Sequence, residues 1–523
     1  MPRESDDMSD YGFWNLAQKD PDHLALIEPD GRELRSGELL ADANRLVHGL
    51  RALGLQQGDC IATCLPNDAA MITAYLAAAQ AGWYLTPINH HLTAGETAYI
   101  LSDCEAKAFI GAERFAATCR AAADQAGLPA SACYAVGNVA GFRPLAALTD
   151  GQPLSLPADR AAGQVMNYTS GTTGRPKGVR RSLLPYDPDT VCSMFAMFLG
   201  MFGIQPHTDN VHLCGSPLYH TAVLVFAASS LHYGHTVVLL EKWTPELCLQ
   251  AIERYRVTTS HMVPTQFHRL LALPEVVKAQ ADVSSLRHMV HAAAPCPVDV
   301  KRRMLEWWGP VIYEYYAASE GGGTLVTPQE WLQYPGTVGR AWPSSEIRIL
   351  DDAGNPVPTS TPGTVYMALG AADFKYHKDD AKTASNRRDG FFTVGDVGYL
   401  NQDGYLFLCD RKIDMIISGG VNIYPSEIEA ELLKHPKIAD VAVFGIPHDD
   451  WGEEVKAVVE PAPGAAAGPA LADDILAFCA ANLAKYKCPR SIDFIASLPR
   501  DPNGKLYKRK LRDPYWAGRE RAI

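Results

Sequence analysis

Between Tyr168 and Gly178 the chain reads Tyr-Thr-Ser-Gly-Thr-Thr-Gly-Arg-Pro-Lys-Gly, four aliphatic hydroxyls, three glycines and two cations in eleven residues. Gly171, Gly174 and Gly178 permit positive φ and close backbone approach, so successive N–H groups can turn toward one anion. Thr169, Ser170, Thr172 and Thr173 add hydroxyl donors, and Lys177 adds a point charge. A concentration of donors with no acidic residue is suited to phosphate. A Walker loop is excluded, because it needs Gly-Lys-Ser/Thr, whereas here Pro176 precedes the lysine and Gly178 follows it. The apolar run Val165-Met166-Asn167 predicts a strand leading into the loop.

Other segments pair glycine with chemically able side chains. Tyr313 to Gly323 reads as a second glycine-rich polar turn and carries Glu320. Gly395-Asp396, Asp410-Arg411 and Ser418-Gly419-Gly420 follow in order, and the C-terminal segment from Pro499-Arg500 to Lys508 holds Lys505. Taken singly these are ordinary turns and solvated charges. Taken together, in this order, they resemble the adenylate-forming superfamily of acyl-CoA synthetases, luciferases and peptide-synthetase adenylation domains.

That resemblance covers nearly the whole chain and implies a role for each motif. The loop at 168–178 resembles the superfamily's phosphate loop. Pro217-Leu-Tyr-His220 resembles the segment beside the acyl pocket, with His220 as its gate. Ala292, Ala293 and Ala294 resemble the small-residue turn along the adenine. Glu314, Tyr315, Tyr316 and Ser319 belong by the same resemblance to the ATP and AMP pocket, with Tyr316 offering an aromatic face. Asp396 is expected to accept both ribose hydroxyls through its two oxygens, with Arg411 donating to the same sugar. Glu320 and Thr172 offer the hard oxygens that Mg2+ prefers. Lys505 is expected to bridge the carboxylate and phosphate oxygens. Ser418, Gly419 and Gly420 are expected to meet the arm of coenzyme A, and Arg180, Arg181 or Arg287 its 3′-phosphate.

The implied activity is that of an AMP-forming acid–thiol ligase: a carboxylic acid and ATP give an acyl-adenylate, then coenzyme A gives the thioester. Tyr-Glu-Tyr-Tyr-Ala-Ala-Ser-Glu-Gly-Gly-Gly and Ser-Gly-Gly-Val-Asn-Ile-Tyr-Pro-Ser-Glu look most like fatty-acyl and steroid or bile-acid ligases, pointing to a bulky or long apolar acid. Ala317, Ser319 and Val394 depart from the glycine and threonines usual at those positions, and Ile413 replaces the usual hinge Lys or Asp. Two alternatives stay open. One is a ligase that acts mainly on a preformed adenylate, and the other is a non-catalytic nucleotide-binding protein.

Elements must hold these motifs in place, and their periodicity predicts an α/β fold. Helices are expected over Ala41 to Leu53, Ala69 to Ala81 and Glu246 to Tyr255, and strands over Cys60 to Leu65, Lys107 to Ile110 and Thr236 to Leu240. Thr93 and Glu96 form a capping-box pair. Dense turns from Gly336 to Tyr405 predict β-hairpins. The resemblance implies a large N-terminal domain of stacked α/β sheets with a β-barrel-like subdomain (residues 1–410), then a small mobile α+β domain (residues 411–523) that carries the catalytic lysine. The stripe Met194 to Ile204 reads as core, with an apolar substrate tunnel as the sharper alternative.

The 523 residues are 47% hydrophobic and 20% charged, which suits large globular cores. A net charge of −12 argues against nucleic acid as the principal partner. The partners expected instead are a small carboxylic acid and coenzyme A. Twelve cysteines without CxxC pairs suggest free thiols in a reducing, cytoplasmic setting. The acidic N-terminus does not read as a signal peptide, and no integral membrane contact is expected. A monomer or homodimer is anticipated.

Overall fold

The computed structural model describes residues 11–169, 176–207, 209–318, 321–343, 345–369, 374–500 and 506–518. The fold is mixed α/β, with a large N-terminal domain and a smaller C-terminal one. By its contacts the chain forms two compact units. The first joins Met1–Met262, Leu273–Val290 and Ala371–Ser385; the second joins Val263–Ala272, His291–Gly370 and Asn386–Ile523.

Two parallel sheets organise the first unit. One runs Arg143–Pro144, Cys133–Val136, Ala106–Ala112, Cys60–Cys64, Tyr84–Pro87, Gln164–Val165, with every neighbouring pair parallel. In the other, Thr259–Met262, Val211–Cys214, Thr236–Leu239 and Leu24–Ile27 are parallel, and Glu33–Arg35 closes the edge antiparallel. Parallel sheets need both faces covered, so these strands are almost continuously apolar. Cys60–Cys64 is buried at every residue.

The helix Ala69–Ala81 shows how sequence becomes packing. It is apolar on nearly every side rather than on one stripe, as a buried helix is, and ten of its thirteen residues are buried. Asp68 caps its start by accepting from the Met71 N–H at 2.9 Å, and Gly82 ends it at φ 74°, a left-handed position that glycine occupies without strain. The helix Ala94–Asp103 begins on the expected capping box: Glu96 accepts from the Thr93 N–H at 2.8 Å, and the Thr93 hydroxyl accepts from the Glu96 N–H at 3.3 Å.

Three expectations are corrected. The strand predicted across Val165-Met166-Asn167 is two strands, Gln164–Val165 and Asn167–Thr169, in different sheets. Met166 between them is fully buried, and its side chain fills the core where the chain changes sheet. The stripe at 194–204 is only half core: Leu199, Phe202 and Ile204 are buried, whereas Met194, Phe195 and Met197 are 46%, 46% and 54% exposed. Met194 and Phe195 lie on the outer side of the α-helix Pro188–Ala196, and Met197 opens the 3₁₀ segment Met197–Phe202 that follows it. Tyr313 to Gly323 is mainly a pair of antiparallel strands, Ile312–Ala318 and Gly321–Val326, rather than a turn.

The second unit is antiparallel in character. Ser345–Leu350, Gly363–Leu369, Phe391–Phe392, Asp396–Leu400 and Leu406–Arg411 make the hairpin-rich sheet expected from the turn density. A five-stranded sheet follows, built on the long hairpin Ile438–His448 and Gly452–Pro461. Its own core includes Ile416, Ile428, Val443, Val459 and Ile475. No helix among the described residues is long and apolar enough to cross a membrane.

A buried histidine fixes the start of the described chain. The Phe13 N–H donates to His232 Nδ1 at 3.0 Å, and His232 Nε2 lies 3.1 Å from the Tyr75 hydroxyl. Burial holds this imidazole down to about 3. Stability carried by the neutral ring is therefore complete above the unfolded value of about 6.5 and is lost as pH falls below it. Urea melts at pH 7.5 and 5.0 are expected to show a loss of about 2 kcal/mol from this group. That increment is expected to disappear in His232→Asn, which keeps an acceptor but does not titrate.

Candidate active site

In the first unit the loop of hydroxyls and glycines is closed by a hairpin. Asn167–Thr169 pairs antiparallel with Lys177–Arg180, with Thr169 opposite Lys177. The two arms approach closely at Gly178, where a Cβ would crowd the Tyr168 ring at 3.1 Å. The Tyr168 hydroxyl donates to Asp103 Oδ2 at 2.6 Å, and burial together with that carboxylate drives its pKa well above the ordinary tyrosine range. The Asn167 amide donates to the Tyr219 carbonyl at 3.3 Å. The loop's base is thus held at both arms.

Lys177 forms an ion pair with Asp379 at 3.1 Å, which raises the lysine pKa. Asp379 follows the strand Lys375–Tyr376, which adds to the same small sheet beside Lys177–Arg180. His377 and Lys378 both reach the Asp103 carbonyl, at 2.9 Å each. Sequence reading missed Asp103 and Asp379, because each is an isolated acid far along the chain from its partner. Ser170, Gly171, Thr172 and Thr173 lie outside the described residues, as does the side chain of Thr169.

His220 stands at the N-cap of the helix Thr221–His232. Its ring packs on Tyr219 at 4.4 Å, Tyr219 meets His90 edge-on at 5.0 Å, and His90 stacks on Phe115 at 4.4 Å. Burial lowers the His90 pKa to about 4, so the His90 ring is neutral at pH 7. Arg180 lies over the Tyr84 ring at 4.3 Å. Arg287 is engaged by Asp209 through two contacts of 3.0 and 3.3 Å, so its charge already has a carboxylate.

The second unit gathers the expected sugar-binding groups. Asp396 opens the strand Asp396–Leu400 directly opposite Arg411 in the ladder, and Gly395 precedes it at φ 85°. The Tyr316 hydroxyl donates to Asp396 Oδ2 at 2.6 Å, while Arg411 Nε lies 3.5 Å from Oδ1. One carboxylate is thus oriented from both sides. Alternation along the strand Ile312–Ala318 places Tyr316 and Glu314 on one face and Tyr315 on the other. Tyr315 is buried, and burial pushes its hydroxyl above the ordinary range. Glu314 is also buried, with its carboxylate 2.6 Å from Lys301 Nζ.

The small-residue turn is strained. Ala293 has φ 73° although it carries a Cβ, a conformation costing an L-residue about 1–2 kcal/mol. Ala292 is buried and Ala293 exposed, so the turn presents its backbone at the surface. Ser319, Glu320 and Lys505 lie outside the described residues. Among the described residues no cluster of three or more His, Cys, Asp or Glu could hold a metal.

Ser418, Gly419 and Gly420 form the end of a hairpin between Ile416–Ser418 and Val421–Ile423. Both glycines have positive φ, 57° and 79°, as a two-residue turn of this kind demands. The segment around Ile413 is tethered within the same unit. Asp410 accepts from the Ser426 N–H at 2.9 Å, and Arg512 donates to the Ile413 carbonyl at 3.2 Å.

Residues 13–371 match the AMP-binding enzyme family, and residues 427–505 match the AMP-binding enzyme C-terminal domain. The chain is 31% identical over 516 residues to the fatty acid–[acyl-carrier-protein] ligase ScoC of Streptomyces coeruleorubidus, covering 97% of this chain and 96% of that one. It is 33% identical over 509 residues to a feruloyl-CoA synthase of Amycolatopsis sp, covering 96% and 98%. Among solved structures, the Bacillus subtilis o-succinylbenzoate CoA synthetase MenE, in complex with its acyl-adenylate intermediate, superposes with a TM-score of 0.79 at 26% identity, covering 96% of this chain and 98% of that one.

Removing the Tyr316 hydroxyl tests the geometry around Asp396. Tyr316→Phe is expected to leave the fold intact and to weaken AMP binding about fivefold to tenfold, the value of one hydrogen bond that orients a charged acceptor. Equilibrium titration with AMP, alongside thermal melting, measures both quantities.

Proposed function

The chain belongs to the AMP-binding enzyme family, and from that premise we propose that it is an ATP-dependent acid–thiol ligase that activates a bulky or long apolar carboxylic acid. One observation supports the reading most directly: a single carboxylate, Asp396, is held between the Tyr316 hydroxyl and Arg411, and a carboxylate so held can accept from two neighbouring sugar hydroxyls.

The reaction follows from charge. In the first half, a carboxylate oxygen of the acid attacks the α-phosphorus of ATP and pyrophosphate leaves. Both partners are anionic, so the attack needs cations and oriented donors at the point of contact. The loop at 170–175 with Lys177 takes the phosphates, the turn at Ala292–Ala294 and Tyr316 take the base, and Asp396 and Arg411 take the ribose. Lys505 bridges the carboxylate and phosphate oxygens. Thr172 and Glu320 supply a hydroxyl and a carboxylate, a donor set of hard oxygens that suits Mg2+, which neutralises phosphate charge when bound. In the second half, the coenzyme A thiol attacks the acyl carbon, the acyl–phosphate bond breaks and AMP leaves. The glycine turn Ser418–Gly420 guides the pantetheine arm, and the boundary near Asp410-Arg411 is the hinge on which residues 411–523 move between the two steps.

The acid is inferred from small residues in the pocket motifs, Ala292 to Ala294 and Gly321 to Gly323, and from the aliphatic acid named for the carrier-protein ligase relative. Incubating the protein with ATP, Mg2+, coenzyme A and a panel of long-chain, polycyclic and aromatic acids, with AMP release as the readout, tests it. Selective turnover of the first two classes is expected; turnover confined to small aromatic or short acids would overturn the substrate assignment. Lys505→Ala is expected to lower ATP–pyrophosphate exchange on the order of a hundredfold to a thousandfold, while thioester formation from a synthetic acyl-adenylate persists. Unchanged exchange would remove Lys505 from the first half-reaction.

A further inference from the structure

Three titratable side chains of the second unit, His291, Lys301 and Glu314, converge on one another. His291 closes the strand His288–His291, Lys301 lies in the helix Val298–Trp308, and Glu314 lies in the strand Ile312–Ala318. His291 and Lys301 are 0% exposed and Glu314 is 5% exposed, so no member reaches water. Lys301 Nζ donates to Glu314 Oε2 at 2.6 Å, and His291 Nε2 lies 3.4 Å from the same oxygen. The Lys301 ammonium also sits 4.9 Å over the Trp331 ring, and Phe267 meets His291 edge-on at 5.2 Å.

Burial alone would push the Glu314 carboxyl up, but Lys301 with His291 outweighs it and holds the group down at about 2. The Glu314 carboxyl is therefore ionised at neutral pH. A buried ion pair is a weak source of net stability, because desolvation of both ions offsets their attraction, and apolar residues of similar volume often serve as well. What the pair supplies is fixed position. Its members bracket the turn that holds Ala293 at φ 73°, and Glu314 lies on the same strand and face as Tyr316.

We propose that Lys301, Glu314 and His291 are positioning residues for the nucleotide pocket: they brace the strained turn at Ala292–Ala294 and set Tyr316 at its distance from Asp396. This rests on the reading of that turn and Tyr316 as lining the nucleotide pocket. An L-residue in the left-handed region persists only where its surroundings over-determine it. The brace acts through the backbone it holds, without touching substrate.

The test replaces the pair by apolar residues, K301M/E314L, and titrates the full-length protein with α,β-methylene ATP by calorimetry. Thermal melting and the KM for ATP against kcat are measured in parallel. Melting close to wild type is expected, with affinity for the analogue reduced about tenfold to a hundredfold, as small misplacements cost, and with KM for ATP rising more than kcat falls. Adding A293G is expected to recover part of the lost affinity, because glycine takes the left-handed turn without a brace. If the paired variant fails to fold, E314Q, which keeps volume and an acceptor, carries the same expectation at smaller amplitude. Wild-type affinity in a folded variant, or a loss that A293G leaves untouched, would overturn the proposal. If the wild-type protein itself does not bind the analogue, it is the nucleotide reading that falls.

Discussion

Two anionic oxygens, one from a carboxylate and one from a phosphate, repel by about 4 kcal/mol at 4 Å where the effective dielectric constant is near 20. Any site that joins them must overcome that repulsion while excluding water. The distribution of charge in this chain answers the constraint locally, against a net charge of −12. The segment 168–178 contains no acid, and three cations near the functional motifs each pair with a carboxylate. Lys177 has Asp379, Arg411 has Asp396 and Lys301 has Glu314.

These pairs differ in burial, and burial separates their roles. Lys177 and Asp379 keep 29% and 23% of their side-chain surface exposed, so the lysine can trade its carboxylate for a phosphate without passing through a bare buried charge. Asp396 is nearly buried but approached by an exposed arginine, an acceptor oriented in advance for hydroxyl donors. Lys301 and Glu314 are sealed in, and their pairing holds geometry rather than ligand. Pre-organisation of this kind is worth more than an equal number of mobile charges, since the ordering is complete before the substrate arrives.

Much of this was legible in the sequence. The helix Ala69–Ala81 has its expected bounds, an Ala-rich run that in the structure lies between the cap Asp68 and the left-handed Gly82. The Thr93–Glu96 capping box followed from spacing alone. Gly419 and Gly420 announced a tight turn, and both have the positive φ it needs. What stayed hidden depends on distant partners or on which apolar side chains face outward. Asp103, Asp379 and Lys301 look like ordinary surface charges until the fold brings Tyr168, Lys177 and Glu314 to them. The stripe at 194–204 is apolar throughout, so hydropathy does not separate the exposed Met194, Phe195 and Met197 from the buried Leu199, Phe202 and Ile204. The strain at Ala293 was equally invisible, since an alanine run ordinarily favours helix.

The proposed function assigns the ribose to Asp396, held by Tyr316 and Arg411, and the phosphates to the residues of 168–178. A crystal structure with a hydrolysis-resistant acyl-sulfamoyl-adenosine tests it most directly. The account predicts both ribose hydroxyls within hydrogen-bond distance of the Asp396 carboxylate and the sulfamate against the hydroxyl-rich turn. A ribose bound away from Asp396, or a sulfamate remote from that turn, would contradict it.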